Sequence, residues 1–385
     1  MLVLQLALIL AASKLAGNIS VRLGQPSVLG ELLVGIILGP SVLGVIHDTD
    51  ILKEMSEIGV ILLMFIAGLE TDLKEFLRSG KSSTLVAVGG ILVPLLGGYF
   101  LGEALGFSSE QSWFMGLLLS ATSVSISVQA LKEMDRLKSP EGTAILGAAV
   151  LDDILVMIAL AFFMSMIGGE VHFGTMLLTK GLFFAGAIFA AWKVVPWILE
   201  KLALLKVDQS VLSAALIICF LYAYLADLSG VSAIIGAYMA GVAISVTEFK
   251  HEIFEKTETI SYSLFVPVFF TSVGVVAHFH GIGESFWLLV ILSILAVFTK
   301  LIGASWGAKA AGFSWGSSLG IGAAMVSRGE VALILANIGL EHQLVSQELF
   351  TVLVVVVLIT TIATPPMMKW FFTVGSKGKT LKNTG

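Results

Sequence analysis

The sequence predicts an all-α, polytopic membrane protein, and three observations predict it. Of 385 residues, 57% are hydrophobic and only 13% charged, with a mean hydropathy of +0.99. A soluble domain carries about a quarter charged residues, so these charges are too few to cover a water-facing surface. The apolar residues gather in thirteen long runs, most of them near the roughly 17–25 residues that a spanning helix needs. Basic residues then fall at every second connection between the runs.

The first run, about 2–22, opens with no leading basic residue and no small-residue cleavage pattern, so it is expected to be a retained span and not a removed signal. The second (about 28–46) and the ninth (about 230–246) are short. The third and fourth cover about 54–72 and 82–105. The fifth, about 112–132, is interrupted by the polar stretch Ser120-Ala121-Thr122-Ser123-Val124-Ser125-Ile126-Ser127. The sixth, about 141–167, holds adjacent aspartates, Asp152 and Asp153. The seventh and eighth cover about 174–199 and 209–227, and the single cysteine, Cys219, is expected to pack in the eighth as a small hydrophobe. The tenth and eleventh cover about 256–278 and 285–311, the latter with Lys300 at its middle. The twelfth, about 315–338, is interrupted by Ser327-Arg328-Gly329-Glu330, and the thirteenth covers about 346–372. The basic tail after Trp370 is expected to be disordered, and no connection is long enough for a soluble domain.

Connections after odd-numbered runs carry Arg22; Lys74, Arg78 and Lys81; Lys132, Arg136 and Lys138; Lys201 and Lys206; Lys250 and Lys256; Lys309; and the lysines from Lys369 onward. Connections after even-numbered runs carry Lys53 and otherwise acids such as Asp48, Asp50, Glu103, Glu110, Glu170 and Asp227. Positive charge stays cytoplasmic. The N-terminus is therefore expected outside and the C-terminus inside a bacterial cell (inner) membrane. A miscounted span would scramble this alternation.

Thirteen runs divide as six, one and six. Two six-helix halves so arranged would be inverted repeats, as in many secondary transporters. The expected division is 1–167, a linking span in 168–208, a second repeat in 209–372 and a tail in 373–385. Gly30 and Gly35 in the second run match Gly236 and Gly241 in the ninth; chance matching among 40 glycines is the alternative. The fifth and twelfth runs are both interrupted at mid-depth. Two broken helices facing each other present free N–H and C=O ends to an ion, although a serine run also serves close helix packing.

Charges deep in a span cost at least a few kcal/mol and are functional candidates by default. Asp152 and Asp153 lie about eleven residues into their span, roughly 16 Å along its axis, near the centre of a roughly 30 Å core. Lys300, Arg328 and Glu330 lie midway along theirs. Lys14, Lys180, Lys193 and Asp227 sit nearer span ends, where they can snorkel, and are read as structural. Adjacent helical residues point about 100° apart, so the two aspartates cannot aim at one partner; they titrate as a coupled unit. Pairing one aspartate with Lys300, and Glu330 with Arg328, leaves one carboxylate over for a proton or a small cation. The alternative is that all five form ion pairs holding the bundle together. Hard monovalent cations take oxygen ligands, and Asp153, Thr122, Ser123 and Ser125 are the candidates. No thiolate or imidazole cluster suggests a transition metal, and the six histidines sit near span ends, read as solvated residues. No cofactor and no nucleic-acid partner is expected; membrane lipid, monovalent cations and protons are.

The motifs together resemble the CPA2 branch of the monovalent cation/proton antiporters, which includes NapA- and Kef-type proteins. They are Gly35-Ile36-Ile37-Leu38-Gly39-Pro40, Phe65-Ile66-Ala67-Gly68-Leu69-Glu70, Ala121-Thr122-Ser123-Val124, Leu151-Asp152-Asp153, Phe269-Phe270-Thr271-Ser272-Val273-Gly274 and Ser327-Arg328-Gly329-Glu330. The wording is most similar to sodium/proton(–potassium) antiporters of spore germination. The resemblance implies exchange of Na+, or Li+ or K+, for H+ by a homodimer. It implies an inward-facing core domain moving elevator-fashion against a dimerisation domain. Asp153 would be the cation and proton carboxylate, Asp152 its neighbour paired with Lys300, and Thr122 and Ser123 would line the crossing of broken helices. Arg328 and Glu330 would stabilise the second crossing. Kef-type proteins carry a long nucleotide-binding extension that is not found here, so glutathione-gated potassium efflux is not expected. Thr299 precedes Lys300, and a shift of one residue would put threonine at the lysine's place; the lysine favours two protons per cation. The alternatives are a sodium-coupled solute symporter on a related fold, a channel, and an intramembrane aspartyl protease. The protease needs two aspartates on different helices. No enzymatic activity is expected.

Overall fold

The computed structural model describes the chain except residues 1, 24, 48, 167–172, 206, 276–284 and 381–385, and except a few side chains within helices, Glu330 among them. Every regular element among the described residues is a helix, as the composition predicts. In the first half these are α1 (Leu2–Arg22), α2 (Ser27–Leu38), α3 (Asp50–Glu70), the short α4 (Leu73–Arg78), α5 (Gly80–Ala104), α6 (Ser109–Ser120), α7 (Val124–Glu133) and α8 (Pro140–Met166). Next come α9 (Phe173–Phe189) and α10 (Val195–Ala203), joined by a π-helical turn, then α11 (Ser210–Leu228) and α12 (Ala233–Ser245). A second π-helical turn joins α13 (Lys250–Ile260) to α14 (Val266–Val275). The last helices are α15 (Phe286–Ala310), α16 (Trp315–Ala324), α17 (Glu330–Glu341) and α18 (Gln347–Thr380). Among the described residues, nine helical segments are long and apolar enough to cross a membrane.

Local chemistry sets several helix ends. Thr49 accepts from the Leu52 amide at the start of α3, and Ser108 with Gln111 forms a reciprocal capping box at the start of α6. α2 stops at Leu38, well short of the predicted boundary near residue 46, because Gly39-Pro40 cannot continue it. The chain then folds back, and the amides of Val45 and Ile46 donate to the Leu38 carbonyl. At the other end, α18 runs on to Thr380, past Trp370, where disorder was expected. Extending an established helix adds one hydrogen bond for each residue fixed.

The helices sort into two packed bundles. One contains α5 to α8 and α15 to α18, centred on the α5–α15 pair. The other contains α1 to α3 and α11 to α14. Glycine seams hold each together. Within the first bundle, a Cβ on Gly89 would strike the backbone of Gly303, and one on Gly98 the backbone of Gly116. Within the second, Gly35 meets Thr271 and Gly274 of α14, while Gly241 meets Phe65 and Gly68 of α3. Gly30 likewise abuts α1, and Gly236 abuts α11. The bundles meet where α7 crosses α2 and α3 and where α18 passes α2.

Candidate functional site

The polar stretch of the fifth run opens the helix between α6 and α7 at residues 121–123, and Ser327-Arg328-Gly329 opens it again between α16 and α17. The two breaks cross and bond each other. The Ser123 amide donates to the Ser327 carbonyl at 2.8 Å, and Ser327 Oγ donates back to the Ser123 carbonyl at 2.6 Å. Ser127 Oγ reaches Ser327 Oγ at 3.2 Å and also donates to the Ala324 carbonyl. Serines suit this place because each hydroxyl substitutes for a helical hydrogen bond that the break removes.

The open end of α6 leaves unpaired carbonyls, and two buried cations take them. Lys300 Nζ donates to the Ser120 carbonyl, and Arg328 Nη2 donates to the Leu119 carbonyl at 2.6 Å. Arg328 also reaches the carbonyls of Ala296 (3.0 Å) and Val326 (3.1 Å). Positive charge at a helix C-terminus is favourable for the same reason that the carbonyls are exposed there. The sequence expectation pairs Arg328 with Glu330, whose side chain lies outside the described residues. Among the described residues Arg328 donates three hydrogen bonds, each to a backbone carbonyl oxygen.

The aspartates of α8 diverge as helical geometry requires. Asp152 is 1% exposed and lies 3.0 Å from Lys300 Nζ, which is itself fully buried. Thr299 turns its hydroxyl to its own helix, onto the Leu295 carbonyl at 2.6 Å. The lysine, and not the threonine, therefore occupies the site. Asp153 is half-buried and faces two cavities. One, of about 10 Å³, is lined by Thr122, Val124, Met64 and Val150, at the lower limit for one water molecule. The other, of about 840 Å³, reaches from Asp153, Ser123 and Gly329 past Lys180 to Lys53, Glu57 and Asp227 at the start of α3 and the end of α11.

Around this point, Thr122 Oγ1, Ser123 Oγ, Ser125 Oγ and Asp152 Oδ2 are buried and make no hydrogen bond within the described chain. Thr122 Oγ1 lies beside the Asp152 carboxylate, without hydrogen-bond geometry to it. Unsatisfied buried oxygens are rare and call for an explanation. Four within two adjoining elements, next to a carboxylate on a cavity, form a set of hard oxygen donors suited to a small monovalent cation. Thr122 and Ser123 line the cavities with Asp153; Ser125 lines neither of them.

Three features escape a reading of the sequence alone. Lys180, assigned a structural, snorkelling role, is only 4% exposed and shares the large cavity with Asp153. Glu31 is buried at 7% in α2, although its place near a span end suggested nothing. A latch joins the bundles at the end remote from the cavity mouth. Lys132 of α7 bonds Glu258 of α13 at 2.7 Å and lies 4.4 Å over the Tyr262 ring. Glu133 takes the Ser27 hydroxyl at 2.7 Å and the Ser27 amide, capping α2. Lys132 and Lys138 also flank Glu70 at 3.9 and 3.7 Å. Of the histidines, His47, His251 and His342 are exposed, and His172, His278 and His280 lie outside the described residues.

Crossed helix breaks neutralised by buried cations, beside a carboxylate on a water-sized cavity, are the arrangement found in secondary transporters that span the membrane many times. Residues 7–373 match the transmembrane region of the sodium/hydrogen exchangers, and the chain belongs to that family. It is 53% identical over 379 residues to the Na(+)/H(+)-K(+) antiporter GerN of Bacillus cereus, covering 98% of this chain and 97% of that one. It is also 53% identical to the probable Na(+)/H(+) antiporter GerT of the same organism, over 96% of this chain and 98% of the other. The sodium proton antiporter MjNhaP1 of Methanocaldococcus jannaschii superposes with a TM-score of 0.74 at 15% identity, over 95% of this chain and 94% of that one, and so shares the fold.

Proposed function

We propose that this protein is a secondary active transporter that exchanges Na+ for H+ across a bacterial cell membrane, with Li+ or K+ as further candidate substrates. The observation that carries this reading is the position of Asp153, on a cavity and among buried oxygens that lack partners. Asp153 holds either a proton or the cation, and Thr122, Ser123 and Ser125 supply further oxygens. Asp152, fixed by Lys300, orients the pair. Arg328 and Glu330 stabilise the second crossing. The names of the relatives, Na(+)/H(+)-K(+) and Na(+)/H(+) antiporters, agree with this assignment.

Thirteen spans in two inverted six-helix repeats are supported by the glycine seams. Gly35 of the second run meets the tenth, and Gly241 of the ninth meets the third. An inverted duplication requires that exchange of partners. The bundle holding α5 to α8 and α15 to α18 is the moving core. The other bundle is the scaffold through which two copies pair as a homodimer, an assignment that rests on the family resemblance and is open to cross-linking.

With the orientation read from the charges, the large cavity opens outward and the latch at Lys132 and Glu133 closes the cytoplasmic side. On that orientation the cavity supports an outward-open state, where the resemblance implies an inward-facing core. Elevator movement would break the latch as the core carries Asp153 inward. The cavity volume would also admit an organic solute, which is the one observation favouring a sodium-coupled symporter. Much of its wall is apolar, with Val60, Ile61, Ile154, Met157, Val354 and Leu358 in it, and these side chains offer such a solute nothing directional to hold. Proton flux in proteoliposomes, driven in turn by Na+, Li+ and K+, tests the proposal. Absence of cation-driven flux, or flux only with an added organic solute, overturns it. Repeating the assay with the membrane potential clamped or free decides whether two protons move per cation, as the lysine at position 300 favours.

A further inference from the structure

Lys180 is a charge that the exchange reaction, as laid out above, does not use. It lies in α9, the helix that links the two halves, and is 4% exposed. Its stem passes the turn at Gly230, where a Cβ would come within 3.8 Å of Lys180 Cε. That turn has φ +67 at Gly230, a left-handed conformation that glycine adopts without strain. The side chain is therefore in contact with the scaffold at Gly230, and it lines the large cavity with Asp153, Asp227, Glu57 and Lys53. The ammonium and the Asp153 carboxylate act on each other electrostatically.

We propose that Lys180 is a tethered internal competitor of the transported cation: its ammonium compensates Asp153 when the outward-open site holds no ion, and it weakens the hold of the site on sodium. This rests on the assignment of Asp153 as the carrier carboxylate. The consequence is kinetic. A fixed positive charge near a binding carboxylate repels an arriving monovalent cation, and the effect grows where apolar walls exclude water. It also speeds release, so that the site does not trap its cargo. Because the ammonium is anchored to α9 and Gly230, while Asp153 belongs to the core, the compensation applies only when the two are aligned. Core movement then removes it, and the carboxylate must travel carrying either the cation or a proton. An empty, charged carrier is thereby held back, as coupled exchange requires.

The test compares wild type, Lys180→Met, Lys180→Gln and Lys180→Arg in proteoliposomes, at an alkaline pH where the carboxylate is ionised. Sodium-driven proton flux is read against Na+ concentration. Lys180→Met and Lys180→Gln are expected to lower the apparent KM for Na+ by about three- to tenfold and to lower kcat, because release slows. Lys180→Arg keeps the charge and is expected to keep the wild-type values. A KM unchanged or raised in both neutral variants overturns the proposal, as does an arginine variant that behaves like methionine. If the neutral variants do not fold, as judged by size-exclusion profile, Na+-induced thermal stabilisation of the arginine variant against wild type provides the second readout. Equal stabilisation supports a role for charge, and its loss overturns it. Failure of wild type itself to exchange Na+ for H+ would instead defeat the functional reading on which this rests.

Discussion

Lys300 Nζ donates to Asp152 Oδ1 at 3.0 Å, and neither side chain reaches the surface. Removing one member of such a pair leaves the other charged and buried, at a cost of about 3–5 kcal/mol. Asp152→Ala and Lys300→Met are each expected to lower the melting temperature in detergent. The double variant Asp152→Ala with Lys300→Met is expected to lose less than the sum of the two, because no lone charge remains. Strict additivity in thermal melts would show that the pair is not coupled.

Asp153 stands apart from that pair. Asp153→Asn removes the charge while preserving the shape, and exchange is expected to fall by at least about a hundredfold, since Asp153 is the carboxylate that the two cavities share. The melting temperature is expected to stay near the wild-type value. Residual Na+-driven proton flux above a few per cent would move the carrier role elsewhere.

If proton and cation share one carboxylate, they exclude each other. Lowering the pH fills the site with protons and so raises the apparent KM for Na+, by up to about tenfold per pH unit where the protonated form dominates. The maximal rate is expected to change much less. Initial rates over a grid of pH and Na+ concentration check this; a KM independent of pH would mean separate sites.

The latch offers a handle on conformation. Lys132→Gln with Glu133→Ala removes the Glu258 ion pair and the cap on Ser27. Partly exposed pairs of this kind contribute about 0.2–1 kcal/mol each, so the two together are expected to shift the equilibrium away from the outward-open state by about two- to thirtyfold. A cysteine introduced by Met157→Cys, in the cavity wall, reports it by labelling with a membrane-impermeant maleimide. The native Cys219 is fully buried and contributes no background. Unchanged labelling would mean that the latch does not hold the cytoplasmic side shut.

Much of this was legible in the chain. Among the described residues the apolar runs lie largely on helices, nine helical segments being long and apolar enough to cross a membrane, and the two interruptions fall at Thr122-Ser123 and Ser327-Gly329, because polar and glycine residues at depth weaken a helix wherever it sits. Asp152 and Lys300 could be matched because deep charges are few. Lys180 could not. A sequence gives depth along one helix, but not which neighbour the side chain meets, so a lysine seven residues into α9 reads as one that reaches for water. The hydrogen bonds of Arg328 were hidden for a related reason. Backbone carbonyls have no letter in a sequence, so an arginine that satisfies a helix end suggests only an acidic partner. The short α2 was legible in Gly39-Pro40, but the apolar residues beyond, which fold back, masked the stop.

The separation between Asp152 and Lys300 is 148 residues, and that bears on how the protein is made. At about 5–20 residues per second, the aspartate leaves the ribosome on the order of ten seconds before its lysine. The seam partners of Gly35 and Gly68, at Gly274 and Gly241, are also still to be synthesised. The first half therefore enters the bilayer with an uncompensated carboxylate and two open backbone grooves, and it depends on the insertion machinery or on chaperones until the second half arrives. Nascent chains arrested before residue 300 are expected to remain protease-sensitive and to be cleared by membrane quality control, whereas chains arrested beyond α15 gain protection. Co-expression of the two halves as separate polypeptides would then restore a stable product that neither half gives alone.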